Sequence, residues 1–144
     1  MINSVSIFAG LDDSALDILL SKAEESFVPS GHVIVREGEE GNRFFLIESG
    51  MVRVCKHYEE SEEVEFAVLT EGDFFGEMCI LETLPRAATV QALTDATLYS
   101  VSSMAFLQLY DTLPKQYGVL LLNIARDLSR RIRRLDEIFA ARHG

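Results

Sequence analysis

The sequence predicts a mainly β protein, a small antiparallel jelly roll (double-stranded β-helix) with flanking helices and a long C-terminal helix. Residues 27–101 consist of short runs rich in β-branched and aromatic residues, which are typical of strands. Clusters of glycine, proline, serine and aspartate separate these runs, as in a small antiparallel roll. Residues 1–26 and 102–144 show helical patterns instead, so we expect helices at both ends of the roll.

The composition fits a single globular domain of 144 residues. A hydrophobic content of 48% supplies enough apolar side chains for a core, so we do not expect disorder. No apolar run reaches the ~18 residues that a membrane span needs, and the N-terminus has no signal-peptide pattern. We therefore expect a cytoplasmic protein with no membrane partner.

The N-terminal segment predicts one helix, capped by Asp12 or Asp13. Phe8 and Leu11 precede the helix and are expected to begin the packing against the β roll. The apolar side of this helix consists of Leu16, Leu19, Leu20 and Ala23.

The β region predicts six strands and one acidic turn. Residues 58–65 carry five glutamates and are expected to form a solvated hairpin tip. The predicted strands are residues 33–35, 44–47, 52–54, 66–69, 88–90 and 97–101.

The C-terminal segment predicts two helices. Ser102 or Ser103 is expected to cap a short helix, and Pro114 suits the first turn of a long helix that continues to about Ala141. Apolar residues recur along the long helix at alternating steps of four and three, the spacing of a coiled-coil seam. This seam predicts a homodimer through the C-terminal helix, with packing against the chain's own domain as the alternative. Its members are Leu121, Ala125, Leu128, Ile132, Leu135 and Phe139.

Charge is distributed unevenly along the chain. The formal net charge is −10, yet residues 126–144 carry +3, so the remainder carries −13. A basic helix can contact nucleic acid or an anionic partner protein, whereas a solvated helix face is the simpler interpretation. The acidity of the whole chain argues against a nucleic-acid surface.

Residues 75–90 hold side chains that suit a sugar phosphate. Gly76 allows the backbone to approach an anion closely, at the start of a short apolar helical turn. Arg86 can donate two parallel hydrogen bonds to two phosphate oxygens, and the Glu77 carboxylate can accept one from a sugar hydroxyl. Ala87 and Ala88 keep the adjacent wall small.

This segment closely resembles the phosphate-binding cassette of cyclic nucleotide-binding domains. That family includes regulatory subunits of cAMP-dependent protein kinase, cyclic-nucleotide-gated channels and bacterial catabolite activator proteins. The resemblance extends over roughly residues 5–140. It includes a glycine-punctuated pair of strands in residues 37–54, and a closing strand with a short helix in residues 92–106.

The resemblance implies a regulatory sensor that binds a cyclic nucleotide, needs no cofactor and signals by moving its C-terminal helix. Ala87 follows the arginine, as in the kinase regulatory subunits, whereas cGMP-preferring members often carry threonine there. We therefore expect cAMP, with cGMP as the alternative. The base is expected near the start of the last helix, capped by a residue of the segment 117–123 or by a partner chain. The implied ligand-binding residues are Gly76, Glu77, Met78, Cys79, Arg86, Ala87 and Ala88.

Other readings of the same fold are a protein-interaction module without a ligand and a sensor of another small molecule, such as haem, a gas or an oxoacid. The Glu77 and Arg86 pair argues against both. No catalytic or metal-binding motif is present, so neither an enzyme nor a metal site is expected. The catabolite activators follow this helix with a DNA-binding domain. This chain ends at Gly144, so we expect it to act on a partner protein or within a longer product, without binding DNA.

Overall fold

The computed structural model describes residues 5–77 and 85–143. In these residues, eight strands form two antiparallel four-stranded sheets, in the orders β1-β8-β3-β6 and β2-β7-β4-β5. The strands are β1 (Glu24–Val28), β2 (Val33–Val35), β3 (Arg43–Ser49), β4 (Val52–Lys56), β5 (Val64–Leu69), β6 (Phe74–Phe75), β7 (Thr89–Ala92) and β8 (Ala96–Ser102). The helices are a 3-10 turn (Ser6–Phe8), α1 (Asp13–Leu20), α2 (Ser103–Thr112) and α3 (Pro114–His143).

This architecture confirms the predicted jelly roll with flanking helices and a long C-terminal helix. All six predicted strands overlap an observed one, whereas β1 and β6 were not predicted. β1 begins at Glu24, inside the segment that the sequence assigned to helices. It lacks an alternating pattern because it is an edge strand that buries only Val28. β6 has two residues, too few for any periodicity, and it exists through its pairing with β3.

Strand β3 separates two apolar cores because its side chains alternate between the two faces of the sheet. Phe44 and Leu46 face the helices, whereas Phe45 and Ile47 face the space between the sheets. The helix-side core is centred on three aromatic rings. The Phe44 ring stacks on Phe74 at 5.3 Å between centroids, and the Phe106 ring approaches it edge-on at 5.4 Å.

The helix caps decide between the alternatives that the sequence left open. Asp12 caps α1, since its Oδ1 accepts a hydrogen bond from the Ala15 amide at 2.9 Å. α1 ends at Leu20, so Ala23 lies beyond the helix that was predicted to contain it. Ser102 caps α2, where its hydroxyl accepts from the Met104 amide at 3.2 Å.

Helix α3 divides into a packed first half and an exposed second half. Leu120 and Ile124 are fully buried, and the Asn123 amide donates to the carbonyls of Ile7 and Ala9 at 2.9 and 2.7 Å. Every residue in 132–141 is exposed. Leu128 is half-buried and packs against the helix-side core, which is the alternative that the sequence left open for this stripe. Within the described residues, no helix is both long and apolar enough to cross a bilayer.

The acidic turn between β4 and β5 is a solvated hairpin tip, as predicted, and it is also bonded to the neighbouring strands. Arg53 donates two hydrogen bonds to the Glu63 carboxylate, at 3.0 and 3.1 Å. These bonds hold the pKa of Glu63 below its usual range. The Tyr58 hydroxyl accepts from Gln91 at 3.0 Å, and its ring lies 5.5 Å from the Arg53 guanidinium. The turn is therefore tied to β4 and β7, although all five of its glutamates are exposed.

Replacing Phe106 with alanine is expected to lower the free energy of unfolding by about 3–5 kcal/mol, because it removes a buried ring from the aromatic cluster. Urea denaturation followed by circular dichroism measures this change. Leu107→Ala is the matched control, since Leu107 is the next residue in α2 and is 50% exposed. An equal effect of the two substitutions would contradict the assignment of the core.

Candidate functional site

A cavity of about 420 Å³ lies between the β roll and the second half of α3. The roll contributes apolar side chains from β2, β4, β5, β6 and β7. The segment 85–88 and the turn after β6 contribute polar and small residues. Helix α3 closes the cavity with Arg131, Arg134, Leu135 and Ile138.

The fold brings the predicted site residues together at this cavity. Gly76 and Glu77 reach it directly after β6, and Arg86, Ala87 and Ala88 reach it directly before β7. Two further predicted residues, Met78 and Cys79, lie outside the described residues, as does the helical turn expected after Gly76.

The backbone of Arg86 is clamped by the loop between β2 and β3. The Arg86 amide donates to the Glu39 carbonyl at 2.7 Å, and the Arg86 carbonyl accepts from the Gly38 amide at 2.9 Å. The Glu39 carboxylate in turn accepts from the Arg36 amide at 2.9 Å, which closes the loop on itself. The sequence marked this loop only as glycine-punctuated, and its contact with Arg86 was not predicted.

The contacts of the Arg86 guanidinium leave one of its donors without an acceptor in the described part of the chain. Its Nη2 donates to the Arg43 carbonyl at 3.1 Å, and its Cζ lies 5.8 Å from the Phe45 ring centroid. Its Nε is buried and has no hydrogen-bond partner among residues 5–77 and 85–143. A buried charged donor without an acceptor is costly, by at least ~1–3 kcal/mol. An anionic oxygen in the cavity would supply the missing acceptor and form a charge-assisted bond.

Two glycines make room for this guanidinium. A Cβ atom on Gly41 would overlap Nε, Cζ and Nη2 of Arg86. A Cβ atom on Gly76 would lie 2.8 Å from both Arg86 Nη1 and the Arg43 carbonyl oxygen. Gly76 also has φ +82°, a conformation that side chains rarely adopt. Glycine at both positions therefore leaves the space that the Arg86 guanidinium occupies in this conformation.

Arg43 helps to fix the orientation of the Arg86 side chain. Its side chain donates to the Ser100 hydroxyl at 2.9 Å and to the Ser100 carbonyl at 3.1 Å, which holds β3 against β8. Its own carbonyl is the acceptor for Arg86. The orientation of the cavity arginine thus depends on the pairing of two strands far from it in sequence.

The helical wall of the cavity differs from the sequence expectation. The segment 117–123 does not line the cavity. Tyr117 stacks on Tyr110 at 5.3 Å, burial raises its pKa, and Asn123 is bonded to the N-terminal segment. The helix residues that line the cavity lie between 131 and 138. The first half of α3 is occupied by packing, so the helix reaches the cavity about four turns later than expected.

The cysteine and histidine positions do not build a second site in the described part of the chain. There, no group of three or more His, Cys, Asp or Glu residues could hold a metal ion. Cys55 is a free thiol, buried in β4, and burial raises its pKa. It acts as a packing residue.

Comparison with known proteins gives consistent matches. Residues 25–112 match the family model described as the cyclic nucleotide-binding domain. The chain is 35% identical to the cGMP-dependent protein kinase egl-4 of Caenorhabditis briggsae, over 81% of this chain and 16% of that protein. It is 32% identical to the cyclic AMP receptor protein of Thermus thermophilus, over 90% of this chain and 58% of that protein.

Among solved structures, the crystal structure of a cyclic nucleotide-binding domain from Methylobacillus flagellatus has a TM-score of 0.83 and 25% identity. The match covers 97% of this chain and 79% of that chain. The chain thus corresponds to a part of the two sequence relatives and to most of this solved domain.

Replacing Gly41 with alanine is expected to displace the Arg86 guanidinium and to lower the free energy of unfolding by about 1–3 kcal/mol, because the new methyl group overlaps it. Urea denaturation measures the loss. Gly118→Ala is the control: no atom lies within 4 Å of its added Cβ, and alanine favours the helix by up to ~1 kcal/mol. A Gly41→Ala protein as stable as the parent would show that Arg86 has room to move aside.

Proposed function

Because the chain belongs to the cyclic nucleotide-binding domain family, we propose that its cavity binds a cyclic purine nucleotide and that the domain is a regulatory sensor. The observation that carries this proposal is the Arg86 Nε, a buried donor that lacks a partner among the described residues and belongs to a cavity-lining side chain. A cyclic phosphate provides a single negative charge with two exposed oxygens, which matches the donors of one guanidinium.

In this proposal, Arg86 binds the phosphate and Glu77 binds the ribose. The Glu77 carboxylate accepts a hydrogen bond from the 2′-hydroxyl, so a 2′-deoxy ligand binds less tightly. Amide groups of Gly76, Met78, Cys79 and Ala87 complete the phosphate site. Recognition must be local, because the whole chain carries a net charge of −10 and charges farther away than about one Debye length are screened.

The proposed ligand is cAMP, with cGMP as the weaker ligand. The relatives include one protein named for each nucleotide, so their names do not decide the matter. Ala87 and Ala88 line the cavity beside Arg86 and carry no hydroxyl that could meet the guanine amino group. Apolar side chains of β5 and α3, among them Phe66 and Leu135, offer a surface for the purine.

The proposed output is a shift of helix α3. Its second half lines the cavity, so a bound nucleotide contacts the helix as well as the roll. A ligand that binds one helix position better than another shifts the population toward that position. The matched family is a binding domain, and we assign no reaction to it. The ligand-free interaction module is disfavoured because it gives the Nε of Arg86 no acceptor.

The second partner we propose is another copy of this chain. Ile132 and Leu135 expose 59% and 44% of their surface on the second half of α3, and Ile138 exposes 49%. Pairing two such helices about a two-fold axis would cover this apolar strip. Arginines on the same half of the helix could then contact a regulated protein. The free thiol of Cys55 fits a reducing, cytoplasmic setting.

Replacing Arg86 with alanine is expected to lower the affinity for cAMP at least tenfold, because a hydrogen bond to a charged group contributes ~1.5–3 kcal/mol. Arg86→Lys should also bind less tightly, since a point charge cannot reproduce two parallel donors. Calorimetric titration with cAMP and with cGMP measures both affinities. Arg130→Ala, an exposed arginine of α3, is the matched control. Unchanged cAMP binding by Arg86→Ala would refute the proposed site.

Replacing Ile132 with glutamate is expected to convert a dimeric parent into monomers, because two carboxylates would meet in an apolar contact without partners. Multi-angle light scattering measures the mass. Arg133→Glu is the control, since Arg133 is the exposed neighbour on another face of the helix. Leu128 is unsuitable for this test because it packs in its own domain. A monomeric parent at micromolar concentration would contradict the proposed pairing.

A further inference from the structure

One side chain of α3 makes several contacts with the β roll beside the cavity. The Arg131 Nη2 donates to the Phe74 carbonyl at 2.8 Å, and its Cζ lies 4.3 Å from the Phe74 ring centroid. Its Nε lies 2.9 Å from the Asp127 carboxylate, one helical turn earlier. The side chain is 21% exposed, so these contacts are partly shielded from water.

The strand that receives Arg131 leads directly into the proposed phosphate site. Phe74 is buried, stacks on Phe44 and pairs with Leu46 of β3. Gly76, which makes room for Arg86, follows two residues later. Arg131 therefore attaches the helix to a rigid part of the roll, next to the turn that carries Gly76 and Glu77.

The position of Arg131 along α3 gives this contact its importance. Residues up to Leu128 pack against the helix-side core, whereas residues 132–141 are all exposed. Nevertheless Arg134, Leu135 and Ile138 line the cavity. The cavity wall is thus formed by a part of the helix that buries little surface, and Arg131 lies where burial ends.

We propose that Arg131 is a positioning residue that anchors the second half of α3 to β6 and so maintains the helical wall of the cavity. The part concerning affinity rests on the proposed cyclic nucleotide function. The anchor and a ligand that contacts this wall both stabilise the same position of the helix. Each therefore makes the other more favourable. By linkage, loss of the anchor lowers the affinity for the ligand by the same factor by which the bound ligand stabilises the anchored position of the helix.

The chemistry explains why arginine suits this position. Its planar guanidinium can cover the Phe74 ring, donate in its own plane to the Phe74 carbonyl and lie beside Asp127 at the same time. A lysine ammonium could make one of these contacts but not all three at once. Arg131→Lys should therefore hold the helix less firmly than arginine does. Methionine keeps the length and apolar stem but removes every donor and the charge.

The test is amide hydrogen exchange combined with nucleotide titration of the full chain. In the ligand-free protein, Arg131→Met should raise exchange in residues 130–141 at least tenfold, with β3 and β8 protected as in the parent. Its affinity for cAMP should fall about three- to tenfold, and Arg131→Lys should lie between. Arg130→Met is the matched control, since Arg130 is exposed and adjacent, and should change neither quantity. Saturating cAMP should restore part of the lost protection in Arg131→Met.

Two results would overturn the proposal. Unchanged exchange in Arg131→Met would show that other contacts hold the helix. Raised exchange with unchanged cAMP affinity would show that the second half of α3 is not a wall for the ligand. A parent that binds neither cAMP nor cGMP refutes the proposed function and the affinity part of this proposal, whereas the ligand-free exchange comparison still decides whether Arg131 is an anchor.

Discussion

The Arg86 guanidinium is the charged group around which the cavity is arranged. Its backbone is paired with the β2–β3 loop, its Nη2 is held by the Arg43 carbonyl, and its volume is accommodated by two glycines. The contacts come from the β2–β3 loop, the first residue of β3 and the turn after β6, so the orientation of the arginine exists only when these segments have packed together. The contacts still leave Nε without an acceptor in the described residues. The guanidinium is thus held in one orientation without a ligand, so the cost of ordering this long side chain is met during folding.

The net charge of the chain limits how the proposed site can attract an anion. With a net charge of −10, the chain cannot attract an anion at long range, and screening limits the reach of any charge to about one Debye length, ~8–10 Å. Partial burial strengthens a local ion pair because the surrounding dielectric constant is lower than that of water. The excess of carboxylates therefore coexists with the proposed phosphate site, provided that they lie on other surfaces. The acidic β4–β5 turn meets this condition in part, since Arg53 holds Glu63 to its own strand.

Helix α3 has two halves that differ in how much of their surface is buried. The first half buries Leu120 and Ile124 and is as firmly packed as the core. The second half combines cavity-lining residues with exposed apolar ones, and it has few buried contacts to resist displacement. Segments with few buried contacts open at lower free energy than the core does. A domain built this way can change the position of one helix segment while the roll that holds Arg86 stays intact.

The sequence by itself determined what depends on neighbouring residues. A short run of aromatic and branched aliphatic residues predicted β3, short polar side chains predicted the caps of α1 and α2, and the order of Gly76, Glu77 and Arg86 predicted a phosphate-binding segment. It missed β1 and β6 because an edge strand and a two-residue strand have no pattern of their own. Only the tertiary structure decided that Gly41 lies under Arg86, that Arg131 reaches Phe74, and that residues 131–138 form the helical wall. These contacts join residues far apart in the chain. Their geometry follows from how the sheets and helices pack, and no local periodicity records it.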